Sequence, residues 1–220
     1  MDFRDLWTGK KEGFADSMKR GLRPQRNIRP KLESAIRLLN KQMNKLDASI
    51  RSLKEKDKIY FAKVVQAIKD HDRTMATLYA NELVEIRKAM KVLKHARYAL
   101  QSVVVRLQTV QSVSDAAAEI LPAMQVLKNV RSMISVIIPT VDEGFTQINE
   151  IFENILWEAT QSGDVGMPIT TANDEALKIL HEAERQAKEE MKQELPGIPE
   201  PVSESSGEYG ESGGYGEFKF

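Results

Sequence analysis

"KLESAIRLLNKQMNKLDASIRSL", residues Lys31 to Leu53, places Leu32, Ile36, Leu39, Met43, Leu46, Ile50 and Leu53 at alternating steps of four and three without an error. That spacing makes one narrow apolar stripe along a helix, the geometry of a coiled-coil seam. The stretch from Lys31 to Leu121 contains neither glycine nor proline over 91 residues, although average usage is about 7% and 5%. The fold class expected from this run is all-α, with Pro30 in the first helical turn.

Working outward, "KEKDK" at Lys54 to Lys58 sets five charges in a row. They predict a tight turn between two antiparallel helices, the first arm running from about Pro30 to Leu53. The second arm begins near Lys58 and carries its own stripe in Tyr79, Leu83, Ile86, Met90, Leu93, Leu100, Val104 and Leu107, interrupted at Arg97. Continued to Ser112 at about 1.5 Å per residue it reaches roughly 80 Å, and the first arm about half of that. The unmatched length is expected to be a polymer seam, because an exposed apolar stripe needs a neighbour.

The hairpin (about 30–112) is followed by two short amphipathic helices, about 116–138 and 141–160, separated near Pro139. A turn-rich linker, 161–173, leads to an acidic helix at 174–194, capped at Thr171, Asn173 or Asp174, with Ala176, Leu177, Leu180, Ala183 and Ala187 on one face. The peptide "LPGIPEPV" (195–202) comes next, and the glycine-rich acidic tail 203–220 has a disordered composition.

The 220 residues contain no cysteine, which excludes disulfides and thiolate chemistry. No uncharged run exceeds the ten residues Ser132 to Val141, and a spanning helix needs about 20 apolar residues. Net charge is zero, yet residues 1–111 hold 25 Lys/Arg against 12 Asp/Glu and residues 112–220 hold 7 against 20. The basic half is a face for an anionic surface, and the acidic helix can fold over it and hold the subunit inactive.

No catalytic or metal constellation emerges. His71, His95 and His181 are far apart, "KDHDR" at Lys69 to Arg73 sits on a charged helix, and no phosphate-binding loop or nucleophile elbow occurs. The methionines fall on the stripes as packing residues. We expect no enzyme, no cofactor and no metal. Aromatics are too few, and too separate from the cations, for nucleic acid.

The first segment, 1–29, is different in kind. Phe3, Leu6, Trp7, Phe14 and Met18 share an arc of about 120° at about 100° per residue, among Lys10, Lys11, Lys19, Arg20 and Arg23. An anionic membrane surface would take up both sets of side chains. The alternative is packing of the apolar side chains on the hairpin of the same or a neighbouring subunit.

Together the basic hairpin with unequal arms, the two short helices, the loosely attached acidic helix and the proline-bearing peptide resemble an ESCRT-III subunit, of the archaeal cell-division (CdvB-type) group. The resemblance implies a self-assembling polymer, working with itself and other ESCRT-III-like paralogues. It would constrict or sever membrane necks on the cytoplasmic face of the cell membrane at the division site. Disassembly would fall to an AAA ATPase (CdvC-type) whose MIT domain binds Leu195, Pro196, Ile198, Pro199, Pro201 and Val202 as an extended strand. A stiff spacer is the alternative use of that peptide. For the whole chain, the alternative is a soluble coiled-coil scaffold that bridges protein partners without remodelling a membrane.

Overall fold

A computed structural model describes residues 28–138, 142–161 and 169–199. The basic segment 1–27, with every residue assigned above to membrane binding, lies outside the described residues, as do most of the linker, Pro201, Val202 and the tail. The described residues form five α-helices and no strand, so the all-α expectation holds: α1 Arg29–Lys69, α2 Arg73–Thr109, α3 Val113–Ile134, α4 Asp142–Gln161 and α5 Ile169–Glu194.

The hairpin does not turn at Lys54 to Lys58. Helix α1 runs straight through the charge run for 41 residues, against 37 in α2, so the arms are nearly equal. The reason is that the stripe never stops: after Ile50 and Leu53 it continues through Asp57, Tyr60, Val64 and Ala67 at the same steps of four and three. Asp57 occupies a seam position with only 3% exposure. Arg87 of α2 neutralises it across the seam, Nε donating to Oδ1 at 2.6 Å and Nη2 to Oδ2 at 3.3 Å. A carboxylate in a bidentate pair can stand where an apolar residue would. Arg97, the interruption expected on the second arm, likewise pairs with Asp47 of α1 at 2.6 Å.

The turn lies instead at Asp70 to Asp72. His71 adopts φ 57°; its amide bonds to Ile68 O at 3.1 Å and that of Asp72 to Ala67 O at 2.9 Å. This pair of bonds around a left-handed residue closes a helix end. Asp72 then caps α2, its Oδ1 accepting from the Met75 amide at 2.9 Å. Beyond the open end, Ser112 and Asp115 form a reciprocal capping box that starts α3.

Helix α4 packs on α1 and α3, and α5 lies along α2 and α3. Gly144 lets α4 approach α1 closely, since a Cβ there would stand 1.9 Å from Gln42 Nε2. Helix α5 starts at Ile169, ahead of the expected caps at Thr171, Asn173 and Asp174, because Ala172 extends its buried face. That face is Ala172, Ala176, Ile179, Ala183 and Ala187, with Leu180 partly buried; Leu177, expected to belong to it, is 53% exposed.

A β-carbon at a left-handed position costs about 1–2 kcal/mol, and His71 is such a position. His71→Gly is expected to raise the stability of the hairpin by about 1 kcal/mol, read as an increased midpoint in chemical denaturation with unchanged helix content.

Candidate functional site

The expected polymer seam is inside the subunit. Leu83, Met90, Leu93 and Leu100 have no exposure, Leu107, Ile86 and Val104 almost none, and Tyr79 packs edge-on to Tyr60 with centroids 6.2 Å apart. With α1 matching α2 along its length, no half-length of α2 projects. Any use of this stripe between subunits requires the helices that cover it to move.

Helix α5 meets the rest of the chain through a narrow apolar face and a series of ion pairs. Its buried face is mostly alanine, and a buried methyl contributes only about 0.8 kcal/mol. Charge then fixes where it sits. Arg106 of α2 pairs with Glu175 at 3.1 Å, Lys91 with Glu184 at 3.7 Å, and Lys54 of α1 with Glu194 at 2.8 Å. His95 Nε2 lies 2.9 Å from Leu180 O, and Tyr98 donates its hydroxyl to Glu190 at 2.6 Å.

Lys94 is the centre of this contact. Its side chain is 1% exposed, and its ammonium reaches Glu190 at 2.9 Å and Glu194 at 2.5 Å. Both carboxylates belong to α5. Separation of α5 would return this ammonium to water, so the pair adds little net stability and instead fixes where the acidic helix sits on the hairpin. Sequence reading passed over Lys94 because it sits flush among Met90, Leu93 and Ala96, where the stripe shows only one more charge on a charged helix.

The titration behaviour follows from the same contacts. Partial burial works to raise Glu194, but the hydrogen bonds and charges of Lys54 and Lys94 outweigh it and hold the carboxyl below its ordinary value. Glu175 is lowered first by Lys178 of its own helix and then by Arg106, and Glu184 by Lys188 of its own helix, with Lys91 adding to it. Tyr98 is pushed up to about 12 by its bond to Glu190 and by burial. Desolvation lowers His95 despite its backbone bond.

The C-terminal peptide is seated beside this cluster. Leu195 packs against the core, and Arg87 Nη1 donates to Pro196 O at 2.6 Å. Ile198 and Pro199 are half-buried. Leu195 and Pro196 line a cleft of about 440 Å³ with Lys54, Asp57, Lys58, Phe61 and Glu194.

A second surface appears on the outer side of α1. Lys41, Lys45, Lys56 and Lys63 are exposed and fall within an arc of about 60° at about 100° per residue. Lys63 lies over the rings of Tyr60 and Tyr79; the other three have no carboxylate partner among the described residues. No described helix is long and apolar enough to cross a membrane, and no described group of three His, Asp or Glu could hold a metal.

The depressed carboxyl of Glu194 gives the packing of α5 on the hairpin stability that is present above the ordinary glutamate value of about 4.3 and lost as pH falls through the lowered value. Energy transfer between labels on α2 and α5 is expected to begin to weaken below about pH 6.5, where His95 takes up a proton more readily when α5 is away, and to fall further below about pH 4, with helix content retained.

Residues 34–202 match the Snf7 family. Among curated proteins of Sulfolobus acidocaldarius, the chain is 30% identical over 198 residues to "Cell division protein B1", covering 90% of each chain. It is 31% identical over 166 residues to "Cell division protein B", covering 76% of this chain and 64% of that protein. No solved structure matches it. A hairpin of two long helices flanked by three shorter ones, matched to one family over most of its length, places this chain in the Snf7 family, that of the ESCRT-III proteins.

Proposed function

We propose that this chain is a self-polymerising ESCRT-III subunit of archaeal cell division, and that the five-helix arrangement is its closed, unassembled form. The names of the two relatives given above support the division role. The observation that carries the assembly reading is α5: a helix with an alanine face and acidic side chains, laid over a hairpin that holds a buried, otherwise unpaired lysine. Such a helix detaches without unfolding what lies beneath it, and detachment uncovers the face of α2 around Lys94, His95 and Tyr98 for a neighbouring copy.

In this reading the filament forms with itself and with paralogues on the inner face of the cell membrane at the division site. The anionic surface meets the outer lysines of α1 together with Phe3, Leu6, Trp7, Phe14 and Met18 and the cations around them. An AAA ATPase binds Leu195 to Val202 through its MIT domain and takes the polymer apart. The protein acts by assembly and has no catalytic role.

Full-length protein and a form ending at Gly163 are to be mixed with anionic liposomes and imaged by negative-stain electron microscopy. Filaments or tubules, more abundant for the shortened form, are the expected result. Discrete particles that ignore the liposomes in both cases would sink the reading in favour of a soluble scaffold. Glu190→Lys with Glu194→Lys, which places like charges beside Lys94, is expected to reproduce the truncation in the full-length chain. Changing Lys41, Lys45 and Lys56 together to Gln is expected to weaken liposome binding by about 100-fold in a flotation assay, at about 1 kcal/mol per lysine.

A further inference from the structure

Helix α4 turns Phe145, Ile148, Phe152 and Ile155 toward α1 and α3. On the opposite side, Glu143, Glu150, Glu153 and Trp157 fall within an arc of about 80° at about 100° per residue. All four are exposed, and the large apolar Trp157 is 59% exposed. The helix contains five acids and no lysine or arginine. Glu143, Glu150 and Glu153 have no cation partner among the described residues, whereas Glu175, Glu190 and Glu194 of α5 are taken up by the hairpin. An uncovered helix face that sets a tryptophan ring among unpaired carboxylates fits a cationic peptide. The carboxylates meet its charges, and the ring face receives a guanidinium.

Such a peptide joins the structure at one end of this face. Helix α4 runs antiparallel to the start of α1: Glu158 is held by Lys31 at 2.7 Å, and Gly144 lies against Gln42. The described chain begins at Ile28, so the residues ahead of it enter within one helical turn of the Lys31–Glu158 pair. Their last part, "KRGLRPQR" at Lys19 to Arg26, holds four cations and no acid. Pro24 disposes Arg23 before it to an extended backbone. At about 3.3–3.6 Å per residue, Lys19 to Arg26 spans about 24 Å when extended. Glu143 to Trp157, at about 1.5 Å per residue of helix, spans about 21 Å. Peptide and face match in length and oppose each other in charge.

We propose that Lys19 to Arg26 docks in extended form along the outer face of α4 of its own chain, with Arg26 at the Trp157 end and Lys19 at the Glu143 end. Lys19, Arg20 and Arg23 are also among the cations assigned above to an anionic membrane. The consequence for membrane binding rests on that reading: the face of α4 and the membrane compete for the same charges. Helix α4 holds the segment against the core until a surface of denser negative charge draws it away. Contacts of this kind between exposed charges are screened over about 10 Å at 0.1 M salt, so the docked state weakens as salt rises.

The sequence offers a direct reporter, since it has no cysteine and its two tryptophans are Trp7 and Trp157. In the full chain, Trp7→Phe leaves Trp157 as the one tryptophan emitter, and Gln25→Cys carries a nitroxide that quenches it on contact. The expected result is quenching of Trp157 at low salt. It is expected to be lost at high salt, on changing Glu143, Glu150 and Glu153 together to Gln with unchanged circular dichroism, and on adding anionic but not neutral vesicles. Equal quenching with and without the three carboxylates would overturn the docking, because the tether alone then brings the label close. Quenching that disappears on dilution with unlabelled chain would overturn the assignment to the same chain in favour of a neighbouring copy. Quenching that persists while the chain floats with anionic vesicles would overturn the competition. A chain that shows the charge-dependent quenching but never floats would support the docking and overturn the membrane reading.

Discussion

The fold depends on one constraint, that the two long helices keep an unbroken alternation of four- and three-residue steps along their contact. On α2 the series runs Ala76, Tyr79, Leu83, Ile86, Met90, Leu93, Arg97, Leu100, Val104 and Leu107, and on α1 it runs from Leu32 to Ala67. Where a charged residue falls on the series, the structure supplies an opposite charge from the other arm, Asp57 with Arg87 and Asp47 with Arg97. These pairs do not add much stability, because ionic contacts in such places roughly offset their own desolvation. They set register: a slip of one heptad would leave Asp57 buried without Arg87. A long two-helix contact needs such marks, since apolar side chains alone are tolerant of sliding.

On that rigid base α3, α4 and α5 are attached with different strengths. Helix α4 buries Phe145, Ile148, Phe152 and Ile155 fully or nearly so, which ties it to α1 and α3 by area. Helix α5 buries four alanines and one isoleucine and adds ion pairs at partly exposed positions. Exposed ion pairs contribute little individually and are screened over about 10 Å at 0.1 M salt. Charge over a thin apolar face distinguishes α5 from the helices held by area.

Much of this was legible in the sequence. The all-α class, the hairpin, the two helices after it and the acidic helix over the basic half all follow from periodicity and charge. The turn did not, because a run of five charges looks like a break unless one notices that Asp57 falls on the stripe and that Arg87 stands opposite. His71, which makes the real turn, carries no glycine signal. The closed seam was missed for the same reason, as a misplaced turn shortens one arm and leaves the other bare. Lys94 was invisible because burial of a single lysine depends on what folds over it, and α5 is about 90 residues away in sequence. The outer lysines of α1 were counted in the net charge but could not be placed until the inner face of that helix was known.

The contrast between a body held by area and a helix held largely by charge has a thermal consequence. Heat capacity of unfolding comes from apolar surface entering water, and polar surface works against it. Separation of α5 exposes alanines, carboxylates and ammonium groups, so its heat-capacity change is small, whereas melting of the hairpin carries the full apolar increment. The free energy of the hairpin is therefore a curved function of temperature with a maximum, while the closing of α5 is nearly flat, and hydrated charges favour contact more as water warms. Warming the protein thus approaches the limit of the hairpin without first weakening the charged contact of α5.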